Sequence, residues 1–384
     1  MESSLKVFFK GSFFFSDNEI CLIRALQQKG INVRYYIPIE SGRLKGALLS
    51  IKKQYPITGI FPAKIYEELN IYGDYLDLNK VYVINSVHKS ALHPHNILLR
   101  IKVIVEYLRF KPDVLHYTAP LSRTWMFLYK LGGRKVMTLH DPFPHSGQYN
   151  KINEKLRKTA FKNSDRIVLL SDEFLDKFSD FYKYPRESII VSKLGVFDYL
   201  ESLKFVNPQI DSSFILFFGQ IFPYKGIEYL LEAMLKVHET HPNVKLVVAG
   251  SGKMYFDISP YKDKEFIIIE NHFIEMPQLV GLIKKCLFTV APYTDSTQSG
   301  LLLNSFSLNV PMIATNVGVF PKMIKSGVYG FVVEPKNVPQ LTECINKLLD
   351  NPDLLINMRH NLSKWKKDMA WERIADDFIK SYTE

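Results

Sequence analysis

The sequence has few cysteines and no apolar run long enough to cross a membrane, and each shortage excludes a class of protein. Its three cysteines, Cys21, Cys286 and Cys344, stand far apart in apolar periodic segments, which favours buried thiols in a reducing compartment over a disulfide framework or a zinc site. No segment reaches the roughly 18 apolar residues of a transmembrane helix. The N-terminal segment also lacks the basic start and the cleavage site of a signal peptide. These absences predict a cytoplasmic protein.

The excess of basic over acidic residues is confined to the first half of the chain. Residues 1–200 contain 30 Lys and Arg against 19 Asp and Glu, whereas the remaining residues contain 19 against 20. This asymmetry predicts that the first half faces an anionic membrane surface, a phosphorylated acceptor or a nucleic acid. Nucleic acid ranks lowest because the basic residues are dispersed and no recognition motif accompanies them. The alternative explanation is a genome of low GC content, whose codons favour lysine.

Strand-like and helix-like segments alternate along the chain of 384 residues. This rhythm predicts an α/β protein with two doubly wound, Rossmann-like domains. The first domain is predicted over 1–200 and the second over 213–365, with a linker over 196–213. A final helix, about 366–384, could pack back on the first domain. Residues 42–73 are predicted as an irregular insertion or mobile loop, and 122–131 as a helix.

Two loops that follow predicted strands suit the binding of phosphate. The loop after Phe218 contains Gly219 and Gln220 and ends with Lys225 just before a helix, so a point charge and free helix amides come together. The loop after Ala291 is rich in hydroxyls and ends at Ser299 and Gly300, whose small side chains let a phosphate approach the amides of the next helix. Ordinary strand–helix connections and N-caps have the same composition, and they remain the alternative.

His140 follows the predicted strand Lys135–Leu139 in a His-Asp-Pro turn. Ligands of α/β folds bind at the carboxyl ends of parallel strands. The histidine is therefore a candidate for ligand contact, and a buried structural histidine is the alternative.

Taken in order, these stretches resemble the retaining glycosyltransferases of family 4, which have the GT-B fold of two Rossmann-like domains facing across a cleft. Beside the loop 219–226, the matching pieces are Val247–Gly252, Pro311–Gly318 and Gly330–Pro335. The pieces Thr138–Pro142 and Thr297–Gly300 look like a branch that builds bacterial capsule, exopolysaccharide or lipopolysaccharide.

The resemblance implies transfer of a sugar from a UDP- or GDP-linked donor to a glycan acceptor, with retention and without a cofactor or metal. It implies His140 and Lys225 as catalytic residues. The donor-binding residues that it implies are Gly219, Gln220, Lys225, Gly250, Phe273, Gln298, Ser299, Gly300 and Asn304.

The chain departs from the family pattern at four positions. Gln220 replaces the usual arginine, Ser296 and Asn304 replace two glutamates, and Lys322 replaces the glutamate of a Pro-Glu pair. These departures keep two alternatives open, a catalytically silent GT-B partner subunit and a GT-B sugar-nucleotide epimerase.

The segment 96–111 places basic residues among aliphatic ones. This composition suits a peripheral enzyme that acts on a lipid-linked glycan at an anionic membrane. An ordinary basic helix packed on its sheet is the alternative.

Overall fold

The protein is described from a computed structural model that covers residues 4–44, 49–143, 150–296 and 299–384. The chain forms two compact units. The first unit comprises Met1–Gly195 together with Met369–Glu384, and the second unit comprises Val196–Asp368. In the described parts of the chain, no helix is both long enough and apolar enough to cross a membrane.

The first unit contains one eight-stranded sheet and the helices that connect its strands. The sheet order is β3-β4-β2-β1-β5-β6-β7-β8, and every neighbouring pair is parallel except β3 with β4. The elements before residue 196 are β1 (Lys6–Lys10), α1 (Ser16–Gln28), β2 (Asn32–Glu40), β3 (Gly59–Pro62), α2 (Glu67–Asn70), β4 (Val81–Ser86), α3 (Pro94–Phe110), β5 (Val114–Thr118), β6 (Arg134–Leu139), α4 (Lys151–Lys162), β7 (Arg166–Leu169), α5 (Leu175–Tyr182) and β8 (Ile189–Val191).

The second unit contains a six-stranded sheet that is parallel throughout. Its elements are α6 (Tyr199–Ser202), β9 (Phe214–Phe218), α7 (Ile227–Thr240), β10 (Lys245–Ala249), β11 (Ile267–Glu270), α8 (Met276–Lys285), β12 (Thr289–Ala291), α9 (Gly300–Ser307), β13 (Met312–Thr315), α10 (Phe320–Met323), β14 (Gly330–Val333), α11 (Val338–Leu349) and α12 (Pro352–Asp368). The strand order β11-β10-β9-β12-β13-β14 is that of a Rossmann fold, in which the order reverses between β9 and β12. Ligands of such sheets bind in the crevice at the carboxyl ends of the two strands that flank the reversal.

After the second unit the chain returns to the first unit as α13 (Trp371–Thr383). The Tyr382 hydroxyl lies 2.6 Å from Nδ1 of His116 on β5, and Nε2 of the same ring lies 2.8 Å from Oγ1 of Thr138 on β6. Both ring nitrogens therefore have hydrogen-bond partners inside the core. Burial lowers the pKa of His116 to about 3, so the ring is neutral at physiological pH.

The predicted fold class is confirmed, since both units are α/β with Rossmann-like sheets. Two local predictions need correction. The stretch 122–131, predicted as an α-helix, contains only a short 3-10 helix, Met126–Lys130. The stretch 42–73, of which 45–48 lie outside the described residues, contains β3 and α2, because Tyr66, Leu69 and Tyr72 are buried. The predicted linker, 196–213, starts where the second unit starts, and its side chains Phe197, Tyr199, Leu200 and Leu203 are buried.

Candidate functional site

Four loops at the carboxyl edge of the second sheet are packed tightly against one another. They follow β9, β10, β12 and β13. Each contact places a glycine where any side chain would overlap a backbone carbonyl oxygen, so the loops approach more closely than other residues allow. The three contacting pairs are Gly226 with Pro292, Gly250 with Gly219, and Gly318 with Ser296.

Lys225 lies in the loop after β9, beside the loop after β12. Its Nζ is 3.8 Å from the centroid of the Tyr293 ring and 4.9 Å from that of Tyr224, so two aromatic faces hold the ammonium group. The Thr294 amide donates to the Tyr224 carbonyl at 2.8 Å and joins the two loops. Burial lowers the pKa of Lys225 to about 8, so the side chain is mostly charged at pH 7. A positive charge therefore stands where the strand order reverses, the position expected for an anionic ligand.

The first turn of α9 borders the same loop. Ser299 is buried, and its hydroxyl does not cap the helix. Among the residues that the structure describes, a side chain added at Gly300 would meet only the Asn304 amide, at 3.9 Å, so these residues leave the backbone open to a ligand. Asn304 Nδ2 donates to the Gly300 carbonyl at 2.7 Å, while its Oδ1 is buried without a partner among the described residues.

The other predicted donor residues also follow strands of the second sheet. Gln220 is exposed directly after Gly219. Phe273 is exposed in the loop after β11, where its carbonyl lies 3.0 Å from Nδ1 of His272. Gln298 lies outside the described residues. The predicted donor-binding residues that the structure describes therefore lie in the segments that follow β9, β10, β11 and β12, with Gly300 and Asn304 on α9.

His140 lies in the first unit, directly after β6. It is only 9% exposed, and its ring stacks on Phe15 with centroids 3.8 Å apart and planes 1° from parallel. Burial lowers the pKa of His140 to about 3. At neutral pH this side chain is therefore a neutral imidazole, which offers one hydrogen-bond donor and one acceptor but no charge.

A buried carboxyl group that the sequence did not single out borders the same small cavity as His140. Glu19, in the first turn of α1, accepts from the Ser12 amide at 2.8 Å and from the Tyr35 hydroxyl at 2.6 Å. Burial raises the pKa of Glu19 to about 7, against the opposing effect of these hydrogen bonds. Tyr293, which holds Lys225, was also missed as a site residue. The sequence could have indicated Tyr293 through its position directly after Pro292, at the end of a predicted strand.

Two glycosyltransferase families match this chain. The family model described as Glycosyltransferase Family 4 matches residues 21–196, and the one described as Glycosyl transferases group 1 matches residues 201–369. A protein of Methanocaldococcus jannaschii described as an uncharacterized glycosyltransferase is 26% identical over 70% of this chain and 74% of its own length.

Two solved structures share the fold at low sequence identity. Anabaena HepE in complex with UDP has a TM-score of 0.65 at 13% identity, covering 98% of this chain and 99% of its own. The UDP-GlcNAc 2-epimerase of Neisseria meningitidis, bound to UDP-GlcNAc, has a TM-score of 0.62 at 14% identity, covering 98% of this chain and 100% of its own. At such identities the likeness shows the fold alone.

Proposed function

The chain combines a family 4 glycosyltransferase domain with a group 1 glycosyl transferase domain, and from this premise we propose that it transfers a sugar from a UDP- or GDP-linked donor to a glycan acceptor with retention. The observation that carries the proposal is the position of Lys225, a half-buried charge at the strand-order reversal of the second sheet. The solved structure of HepE with UDP, which has this fold, supports a nucleotide ligand.

In the proposed reaction, the bond between the anomeric carbon and the diphosphate oxygen breaks as the acceptor oxygen bonds to the same face of the sugar, and the proton of the acceptor hydroxyl passes to the leaving diphosphate. The leaving diphosphate gains negative charge, and Lys225 stabilises that charge together with the amides that begin α9. Electrostatic donors of this kind are worth roughly 3–4 kcal/mol each in a preorganised site. His140, being neutral, is proposed to hydrogen-bond a hydroxyl of the donor sugar.

The variant Lys225→Ala tests the proposal. A screen of UDP- and GDP-sugars by thermal shift first identifies the donor, since a bound ligand stabilises the folded protein by mass action. With that donor, release of nucleoside diphosphate should fall roughly 100- to 1,000-fold in the variant. Lys236→Ala, which removes an exposed lysine from α7, is the matched control and should be unaffected. Turnover of Lys225→Ala within about threefold of the parent protein would overturn the role of this lysine.

A lipid-linked acceptor at an anionic membrane is supported by the solvent-facing side of α3. Apolar side chains are exposed there at helical spacing, at Ile97, Leu98, Ile101, Val105 and Leu108. Lys102 and Arg109 are exposed on the same helix. Exposed aliphatic residues flanked by lysine and arginine are typical of helices that lie in the membrane interface. We therefore extend the proposal to lipid-linked intermediates of bacterial surface polysaccharides.

The epimerase remains a second candidate, because an epimerase bound to UDP-GlcNAc has the same fold. Incubation with UDP-GlcNAc and no acceptor separates the two activities. Formation of a 2-epimer would favour the epimerase, whereas nucleotide release that depends on an acceptor would favour the transferase. Either activity would exclude a catalytically silent partner subunit.

A further inference from the structure

Three histidines gather in the first unit, between the end of β4 and the start of α3. One ring nitrogen from each of His88, His93 and His95 lies within 4.8 Å of those of the other two. Nε2 of His88 and Nδ1 of His95 are 3.2 Å apart. The chain has ten histidines in all. Three of them within eight residues are therefore a local concentration.

The loop that carries these rings is held by hydrogen bonds of its own. Asn96 is buried, and its Nδ2 donates to the carbonyls of His88 at 2.7 Å and Ser90 at 2.9 Å. Its Oδ1 accepts from the Ser86 hydroxyl at 2.8 Å. Arg100 donates to the Ala91 carbonyl at 2.8 Å. The backbone positions of the histidines are therefore fixed before any ligand arrives, which lowers the entropic cost of binding one.

We propose that His88, His93 and His95 bind a divalent transition-metal ion of the Zn²⁺ type, with water completing the coordination. Two nitrogens bound tetrahedrally at roughly 2.0–2.1 Å lie about 3.3 Å apart, and the His88–His95 separation of 3.2 Å fits that value. The third nitrogen, on the partly exposed ring of His93, needs a shift of up to roughly 1.5 Å, and this ring, which stacks on His88 with centroids 3.5 Å apart, must rotate to supply it. An all-imidazole set suits zinc, copper or nickel better than magnesium or calcium, which prefer oxygen ligands.

The state of the rings also fits a metal. The His93 Nδ1 accepts from the His95 amide at 3.3 Å, which orients this ring and leaves Nε2 for an ion. A cation beside the start of α3 opposes the helix dipole, but that effect is small at an exposed site.

This inference is independent of the proposed transferase activity, because none of the three histidines belongs to the predicted donor-binding set. The full chain without an affinity tag, freed of metal by a chelator, is titrated with Zn²⁺ by calorimetry and with Co²⁺ by visible absorption. The expected result is one ion per chain and, for Co²⁺, the intense absorption of tetrahedral coordination.

Two variants assign the site. His93→Asn removes a ligand but keeps a side-chain acceptor for the His95 amide, and His95→Gln removes a second ligand. Loss of a supporting residue typically weakens metal binding 10- to 100-fold, so loss of a direct ligand should weaken it at least about 100-fold. His360→Gln on α12, which removes an exposed histidine elsewhere, should bind as the parent protein does.

Thermal unfolding without metal tests whether His93→Asn folds normally. We expect the metal-free variant to unfold at the same temperature as the metal-free parent protein. Added Zn²⁺ should raise that temperature for the parent protein and not for the variant. Absence of saturable Zn²⁺ and Co²⁺ binding by the parent protein would overturn the proposal, as would binding that is unchanged in both variants.

Discussion

At the scale of single residues, Lys225 carries a charge at a partly buried position, where desolvation makes a charge unfavourable. Two tyrosine faces hold its ammonium group, and burial lowers its pKa to about 8. The same burial that lowers the pKa also strengthens the attraction between the charged form and a bound phosphate, because the local dielectric constant is low. The residue therefore becomes sensitive to pH within the range in which enzymes are assayed.

This pKa predicts that activity falls at alkaline pH. In the proposed reaction the charged form of Lys225 binds the diphosphate, and this side chain loses its proton as the pH rises through about 8. We expect kcat/KM, which reports ionisations of the free enzyme, to decline above that pH. Lys225→Arg keeps a charge at every accessible pH, so its profile should lack this decline even if its activity is lower. An identical alkaline decline in both proteins would assign the ionisation to another group.

Gln220 is the second residue at which a prediction can be tested. It is exposed beside Gly219, where the family pattern has an arginine. Gln220→Arg should bind UDP or GDP more tightly, since a guanidinium can hold phosphate with two charged hydrogen bonds and an amide cannot. Calorimetry with the free nucleotides measures the change, and Gln220→Lys tests whether charge alone suffices. Unchanged or weaker affinity in Gln220→Arg would show that the loop is built around glutamine.

At the scale of secondary-structure elements, α13 is attached to the first unit by a buried polar contact. Tyr382→Phe removes the hydroxyl 2.6 Å from Nδ1 of His116 and leaves that nitrogen buried without its partner. An unsatisfied buried group costs roughly 1–3 kcal/mol. We expect the free energy of unfolding of the first unit to fall by that amount in urea. Tyr229→Phe removes a hydroxyl from a half-buried ring of the second unit and should leave the first unit unchanged.

The helix α3 permits a test of the proposed membrane contact. Ile101 and Leu108 are 51% and 58% exposed, so replacing both with glutamate should cost little stability. The double variant should sediment less with anionic vesicles than the parent protein, because two apolar contacts are lost and two negative charges are added. Ile356→Glu on α12, at a position that is 62% exposed, is the control. Equal sedimentation of all three proteins would exclude α3 as the contact.

The elements differ in how well the sequence predicts them, for physical reasons. The strand that ends at Phe218 was predicted, because a central parallel strand such as β9 is buried on both faces and has a continuous apolar run as its sequence. The helix predicted over 122–131 was wrong because buried Trp125, Leu128 and Tyr129 have a spacing that a 3-10 turn also satisfies. Helix α12 was missed because its buried residues, Leu355, Met358 and Leu362, are few among polar ones.

The candidate site was predictable in composition but not in arrangement. The loops around Lys225 and Ser299 follow strands and carry residue types that suit phosphate. Their contact through Gly226 and Pro292, however, depends on the order of strands in the sheet. Strand order arises from long-range pairing, which no local pattern encodes. The roles of the predicted site residues stay predictions, and Gln298 also lies outside the described residues.

At the scale of the whole molecule, the uneven distribution of charge predicts how membrane binding responds to salt. The excess of Lys and Arg lies within 1–200, and exposed charges are screened beyond about 10 Å at 0.1 M salt. Sedimentation with anionic vesicles should therefore fall steeply between low and high salt, and neutral vesicles should retain little protein. Binding that resists salt would mean that apolar contacts of α3 dominate. Absence of binding at low salt would favour a water-soluble acceptor.

The return of the chain to the first unit also determines the order in which the protein can be completed during synthesis. The ribosome makes β1 to β8 first, but α13 emerges only after every residue of the second unit. Until then His116 lacks Tyr382, and the surface at Gly195 that Trp371 covers stays open. The second unit is one continuous segment of the chain, Val196–Asp368, and waits for no later residues. The unit that is translated first is therefore the last to be finished, and its nascent form exposes apolar surface of the kind that chaperones bind.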